Sequence, residues 1–243
     1  MNRPLLDFVS THMRRPSKVA ACGLLLLALT ACGGEHSTPA PPSAEELRNQ
    51  VVETLRNVTS VSFQVSHPND GTDMGGGLVL NTVEGIAVFP KGASMTANGI
   101  IARIAVSFGI VQTDDTTYFS GPIGDTWRLV PPETLPFDFV GMNTSVATAL
   151  GNATALAIAP GASVSGQPTF VLSGSIISDD LKGLVPGAAL GLPLSIEGWI
   201  GQDDALPWRV VLTGALIGSD PESMVRHLNL HNFDEPMTID PPI

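Results

Sequence analysis

The 243-residue chain has little cysteine, few aromatic residues and little charge, and each shortage excludes a class of protein. Its two cysteines, Cys22 and Cys32, both lie near the N-terminus, so the part that follows Cys32 cannot contain a disulfide. Aromatic residues make up 5% and charged residues 14%, whereas hydrophobic residues make up 43%. The apolar mass is therefore aliphatic, which suits a large core or an apolar cavity.

Basic residues are scarce. The chain has 12 basic and 23 acidic residues, and residues 1–31 contain four of the basic ones and one acidic one. The remainder thus has 8 basic and 22 acidic residues, a net charge of −14. Such a surface repels phosphate backbones, so we expect no nucleic-acid partner.

Motifs for catalysis or metal binding are also missing. The sequence has no G-x-S-x-G elbow, no phosphate-binding G-x-x-x-x-G-K-[ST], no G-x-G-x-x-G after a strand and no H-E-x-x-H. His227 and His231 share a strand face, but four residues at ~3.3 Å each separate them by ~13 Å, too far for one metal ion. Paired aspartates at 114–115, 179–180 and 203–204 are typical of turns, where they bind local backbone. We expect no catalytic residue, no metal and no cofactor, and so no enzyme.

The N-terminus carries a lipobox, Leu29-Thr30-Ala31-Cys32, which ends at a thiol that can take a diacylglyceryl group. An apolar run, residues 19–29, and a basic segment, residues 13–18, precede it. The run is about half the ~20 residues that a membrane span needs. Residues 1–31 are therefore predicted to be a lipoprotein signal peptide, and Cys32 to anchor the protein to the extracytoplasmic face of the cell membrane. Two alternatives stay open: a plain secretory signal with a chance cysteine, and a start at Met13 with residues 1–12 upstream of it.

Two regions follow the signal. Residues 32–43 are small, polar and proline-rich and are predicted to form a lipidated flexible tether. Residues 44–243 are predicted to form a single lipid-binding domain. It begins with an amphipathic helix over 44–57, because Leu47, Val51 and Leu55 recur at helical spacing after a Ser-x-x-Glu cap.

Beyond this helix the hydrophobic period changes to two, which indicates strands. A second helix is predicted over 143–157 and a short capped helix over 178–182. Extended segments are predicted over 61–65, 78–89, 92–112, 116–119, 127–130, 163–164, 170–176, 194–200, 207–217 and 223–233. The pattern predicts an α+β fold, an antiparallel sheet covered on one side by helices.

Aliphatic positions on strand and helix faces predict where a cavity for acyl chains would lie. The predicted lining is Phe63, Val65, Leu78, Leu80, Ile104, Val106, Phe108, Ile110, Val146, Leu150 and Leu156. An ordinary packed core made of the same residues stays open, since periodicity shows which face is buried and not whether the space is full. No buried cation is expected near a headgroup, so affinity would come from aliphatic contacts alone.

Several landmarks occur in a characteristic order and spacing along the chain. They are the lipobox, Asn57–Phe63, Thr117–Phe119 followed by Trp127, Gly166–Ile176, Ser195–Val210 and Leu228–Ile239. With these landmarks the chain resembles the LppX/LprA/LprF/LprG family of mycobacterial envelope lipoproteins. The resemblance implies a strongly curved antiparallel sheet, a half-barrel, with helices on its concave face around a large apolar cavity.

The same resemblance implies a function. Members bind multi-acylated envelope lipids or lipoglycans and carry them across the envelope, and a membrane lipid exporter is a candidate partner. The chain departs from the family pattern at Leu135–Gly141 and in the loop His67–Gly77, so its particular lipid is left open. Alternatives are a non-transporting structural or interaction lipoprotein with a packed core, and a hydrolase, which lacks any recognisable nucleophile arrangement.

Overall fold

The computed structural model describes residues 41–69, 71–74, 76–113, 116–122, 126–131, 135 and 137–243, all within one unit, Pro41–Ile243. The predicted signal peptide, Cys32, most of the tether and the aspartate pair 114–115 lie outside the described residues.

The first helix, α1, spans Ala44–Asn57, as the sequence predicts. A capping box starts it: the Ser43 hydroxyl accepts from the Glu46 backbone N–H at 3.2 Å, and the Glu46 carboxylate accepts from the Ser43 N–H at 2.8 Å. These two bonds satisfy donors that the first turn leaves free. The helix buries Leu47, Val51, Val52 and Leu55 on one side.

Twelve strands form one antiparallel sheet among the described residues. The strands are β1 Ser60–Ser66, β2 Thr72–Asp73, β3 Leu78–Val88, β4 Gly92–Ile101, β5 Ile104–Thr113, β6 Thr117–Ser120, β7 Trp127–Val130, β8 Thr154–Pro160, β9 Thr169–Ile177, β10 Pro193–Gly201, β11 Pro207–Thr213 and β12 Val225–His231. Their order is β7-β6-β5-β4-β3-β1-β12-β11-β10-β9-β8, and β2 pairs with β3. The sheet is an open, curved half-barrel, and the fold is the predicted α+β class.

Strand alternation gives the sheet an apolar face toward the helices. On the central strands Phe63 pairs with Leu230 and Val65 pairs with Leu228, so these side chains share that face. Two clusters of buried apolar residues form the core. One joins α1 and the second helix, α2 (Met142–Gly151), to β9 and β10, and the other covers β1 and β3–β5.

The segment predicted as extended over 92–112 is two strands and not one. Ala102 and Arg103 have φ values of 48° and 70°, which reverse the chain and make a β4–β5 hairpin. Two consecutive positive φ values are typical of a tight hairpin turn, usually marked by asparagine and glycine. Neither residue stands here, so the turn has no signal in the sequence.

The helix predicted over 143–157 ends at Gly151, and the prediction is wrong beyond it. The chain continues as β8, which pairs only with β9 at one end of the sheet order. The alanines of β8, such as Ala155 and Ala157, favour a helix by intrinsic propensity, and an exposed edge strand lacks clear alternation. The exposed edge position therefore explains why the sequence pattern did not predict this strand.

Candidate functional site

An apolar cavity of about 160 Å³ lies between the sheet and α2; we call it the main cavity. Met142, Val146 and Ala149 line it from α2, and Val210 and Leu212 line it from β11. Of its 22 lining residues only three have polar side chains. The interior is thus built to exclude water and to contact hydrocarbon.

A second apolar space of about 370 Å³ adjoins the main cavity over β3–β6; we call it the side pocket. Four residues line both spaces: Met74, Leu80, Val83 and Phe137. These side chains form the wall between the two spaces. The Arg128 guanidinium also lines the side pocket, and it lies 5.3 Å from the centre of the Phe119 ring.

Six of the eleven residues predicted to line a cavity do so. Val65, Leu80 and Val146 line the main cavity, and Leu78, Leu80, Phe108 and Ile110 line the side pocket. Phe63 lies one layer behind: its ring stacks on Phe139 at 5.2 Å, and Phe139 lines the main cavity. These residues come from β1, β3, β5 and α2, elements that the fold brings around one interior.

The remaining four, Ile104, Val106, Leu150 and Leu156, do not line either space. Ile104 is 67% exposed, because it follows directly on the Ala102–Arg103 turn at the tip of the hairpin. Val106, on the same strand, packs half-buried against the core. Leu150 is buried in the cluster between the helices and β9–β10, and Leu156 packs against that cluster from β8.

The main cavity has one polar end, formed by His67, Thr72 and Arg226. The Arg226 side chain is 11% exposed, and its guanidinium donates to the Thr72 Oγ1 atom at 3.3 Å and to the Gly214 carbonyl oxygen at 3.3 Å. It also forms an ion pair with the Asp220 carboxylate. The expectation that no buried cation lies near the ligand space is therefore wrong.

Asp220 holds both the arginine and the neighbouring loop. Its side chain is fully buried, and Oδ2 accepts from Arg226 and from the backbone N–H groups of Leu216 at 2.9 Å and Ile217 at 3.0 Å. A buried carboxylate needs such partners, because desolvation without them costs several kcal/mol. Asp220 therefore couples the position of Arg226 to the backbone of the loop.

His67 is uncharged near neutral pH. It is buried, and burial lowers its pKa; the nearby Arg226 charge acts in the same direction, against a hydrogen bond to Asn81 that raises it. The His67 Nδ1 atom lies 3.0 Å from the Asn81 carbonyl oxygen. Because that oxygen can only accept, we assign the proton of the neutral ring to Nδ1.

The alternation of residues along the strands could have indicated this polar end from the sequence. On β12, Arg226 is in phase with Leu228 and Leu230, so alternation points it toward the core face. His67 is similarly in phase with Val61 and Val65 of β1. A charged or polar residue on the inward phase of a strand predicts either a buried network or a ligand contact.

The other polar candidates have structural roles. Asp179 accepts from the Gly191 N–H at 2.6 Å, Asp180 from Ile177 at 3.0 Å and Asp204 from Leu206 at 2.9 Å. Among the described residues no three His, Cys, Asp or Glu side chains are grouped to hold a metal ion. Neither of the helices α1 and α2, which are the α-helices of the described part, is long and apolar enough to cross a bilayer.

Residues 43–239 match the family model of the LppX_LprAFG lipoproteins. The chain belongs to this family. No curated protein matches it in sequence. The LprF structure from Mycobacterium bovis is 18% identical, with a TM-score of 0.65 over 84% of this chain and 99% of that one. The Mycobacterium tuberculosis lipoprotein LppX is also 18% identical, with a TM-score of 0.55 over 81% of this chain and 98% of that one.

Family membership implies association with the cell envelope, and the two solved structures show the same fold. Both segments that are expected from the sequence to depart from the family pattern contribute residues to the cavity. His67, Thr72 and Met74 of the 67–77 loop line the main cavity, as do Phe137 and Phe139 of the segment 135–141.

Proposed function

We propose that the protein is a lipid-anchored envelope lipoprotein that binds acylated lipids or lipoglycans in its interior and carries them across the envelope. The observation that supports it is the main cavity with its adjoining side pocket, both walled by aliphatic and aromatic side chains. A membrane lipid exporter is the partner that such a carrier would serve. The alternative, a structural lipoprotein with a packed core, leaves these spaces without a role.

Burial of methylene groups would supply the affinity. Each CH₂ moved from water to an apolar site contributes ~0.8 kcal/mol, so about ten methylenes correspond to the ~8 kcal/mol of micromolar affinity, before the cost of association. The main cavity, at about 160 Å³, is smaller than the ~300–1,000 Å³ of common ligand pockets, whereas the side pocket, at about 370 Å³, falls in that range. Two adjoining spaces suit a ligand with more than one chain.

We also propose that the protein binds without catalysis. Thr72 is the one hydroxyl side chain among the residues that line the main cavity. Its oxygen accepts from the Arg226 guanidinium, which is always protonated and cannot serve as a general base. The Arg226 guanidinium therefore cannot activate Thr72 as a nucleophile.

Anchoring would place the cavity close to its cargo. The lipobox and membership of a lipoprotein family support acylation of Cys32 and an extracytoplasmic location. The stretch 33–43 would hold the domain at a short distance from the bilayer.

Lipid occupancy of the full-length chain tests this function. The Cys32→Ser variant cannot be acylated, and we expect native mass spectrometry to show it with an acyl lipid that organic extraction recovers intact. Ala149→Leu fills the main cavity and should lower occupancy about tenfold, the factor for ~1.4 kcal/mol of lost contact. The control is Thr148→Leu, an exposed position on the same helix, which should leave occupancy unchanged.

Two outcomes would contradict the proposal. If the Cys32→Ser protein remains without lipid after incubation with vesicles of diacyl and triacyl lipids, the structural alternative is favoured. If the recovered lipid is cleaved, the protein is a hydrolase.

A further inference from the structure

Arg226 presents unused hydrogen-bond donors at the main cavity. A guanidinium carries five N–H groups. Three bind Gly214, Thr72 and Asp220, which leaves Nε–H and the second Nη1–H without an acceptor in the described part of the chain. Arg226 lines the cavity and is only 11% exposed at its side chain, so water has little access to these donors. Buried donors of this kind call for an acceptor on the occupant.

The charge of this polar end selects the acceptor. The Asp220 carboxylate neutralises Arg226, and the buried His67 ring is neutral, so the group has no net charge. An ionised carboxylate or phosphate brought here would lie beside Asp220 as a second buried anion with one cation between them, which is costly. An uncharged carbonyl oxygen accepts from the same N–H groups without that cost.

We propose that Arg226, held by Asp220 and Thr72, is the site that binds the ester carbonyl of an uncharged acyl lipid and discriminates against an ionised fatty acid. The inference rests on the proposed function, since it assigns which part of a bound lipid meets the polar end. The acyl chain then runs from Arg226 along Leu212 and Leu228, its neighbours on β11 and β12. Thr72 belongs to the 67–77 loop, so this loop supplies part of the site.

Three probes with one pyrene-labelled alkyl chain separate the contributions: the methyl ester, the free acid and the hydrocarbon. Binding is measured by fluorescence titration at pH 7.5 with the full-length Cys32→Ser chain. We expect the ester to bind about tenfold more tightly than the acid and about threefold more tightly than the hydrocarbon. Recovery of intact ester after the titration excludes hydrolysis as the source of a difference.

The variant that removes the site is Arg226→Met combined with Asp220→Asn. The double change removes both charges, and the side-chain carbonyl of the introduced asparagine can still accept from Leu216 and Ile217, so the loop keeps its bonds. The ester preference should fall below about twofold while the hydrocarbon binds as before. Arg226→Lys keeps the charge without the planar fork and should also lose most of the preference. Arg209→Met is the control, because Arg209 is exposed and bonds Asn229 at 3.0 Å.

The outcomes distinguish this inference from the function it rests on. Equal binding of ester and acid by the unaltered site, or an ester preference that survives both Arg226 variants, overturns the inference and leaves the lipid-binding proposal standing. Tighter binding of the acid overturns it as well. Failure of all three probes to bind, with the protein folded, overturns the lipid-binding proposal and this inference together.

Discussion

Ala149→Leu and Ala147→Leu should change stability in opposite directions. Both alanines are on α2 and both are buried, at 1% and 0% exposure. Both belong to the packed cluster between the helices and the sheet, but only Ala149 also lines the main cavity. The same substitution therefore adds the same atoms to an empty space in one case and to a filled space in the other.

The cavity volume sets the expected size of the effect. At ~24 cal/mol per Å³, an empty space of about 160 Å³ corresponds to a cost of ~4 kcal/mol. Leucine adds three carbons to alanine, worth ~2.4 kcal/mol if fully buried, and imperfect fit reduces this gain to ~1–2 kcal/mol. At Ala147 the added volume has no space, and overpacking costs ~1–3 kcal/mol.

Urea unfolding of lipid-free protein, refolded after denaturation and apolar extraction, measures both variants. Calorimetry should show Tm shifts of ~2–4 °C per kcal/mol, upward for Ala149→Leu and downward for Ala147→Leu. A loss of stability at Ala149 equal to that at Ala147 would refute the reasoning, because it would mean that the interior is full in the absence of lipid.

Three further predictions address the anchor, the ion pair and the buried histidine. Cys32→Ala should release the protein from the membrane fraction in detergent partitioning, and unchanged partitioning would contradict acylation at that residue. Arg226→Met alone should lower the free energy of unfolding by ~3–5 kcal/mol in urea titrations, because it leaves the Asp220 carboxylate buried and unpaired. Adding Asp220→Asn should recover part of this loss. A double variant that is no more stable than the single one would disprove this cause. Because the pKa of His67 is lowered in the folded state, the unfolded chain binds more protons than the folded chain below pH ~6.5. The free energy of unfolding should therefore fall between pH 7.5 and 5.5. His67→Asn should make this fall with pH smaller.

Much of the fold was predictable, since its elements carry local signals. The α1 bounds follow from the Ser43–Glu46 capping box and the spacing of Leu47, Val51 and Leu55, and the structure has the same bounds. The central strands follow from strict alternation. The β4–β5 turn and β8 were not predicted, for different reasons. The turn lacks the residues that usually mark it, and the edge strand has no buried face that would impose an alternating hydrophobic pattern.

The cavity was predictable only in part. Alternation places Val65 and Leu80 on the face of the sheet that lines the cavity. Whether a strand extends beyond the cavity depends on the strand register and on the position of the turn, which alternation does not give. Ile104 is in phase with the inward-facing residues of β5, but it lies at the tip of the hairpin, beyond the interior, and is therefore exposed to solvent. The ion pair at Arg226 joins residues from β12 and from the loop that precedes it, so alternation on β12 indicates that Arg226 faces the core but not which residue balances its charge.

The double role of Asp220 has an evolutionary consequence. Its carboxylate ties down the backbone at Leu216 and Ile217 and also balances Arg226. A descendant of this protein that altered Arg226 alone would inherit a buried, unpaired anion and a weakened fold before any new ligand could be selected. Change at the polar end therefore requires paired substitutions at positions 220 and 226. The apolar lining of the cavity tolerates single substitutions between hydrophobic residues of similar volume, so it can change one residue at a time.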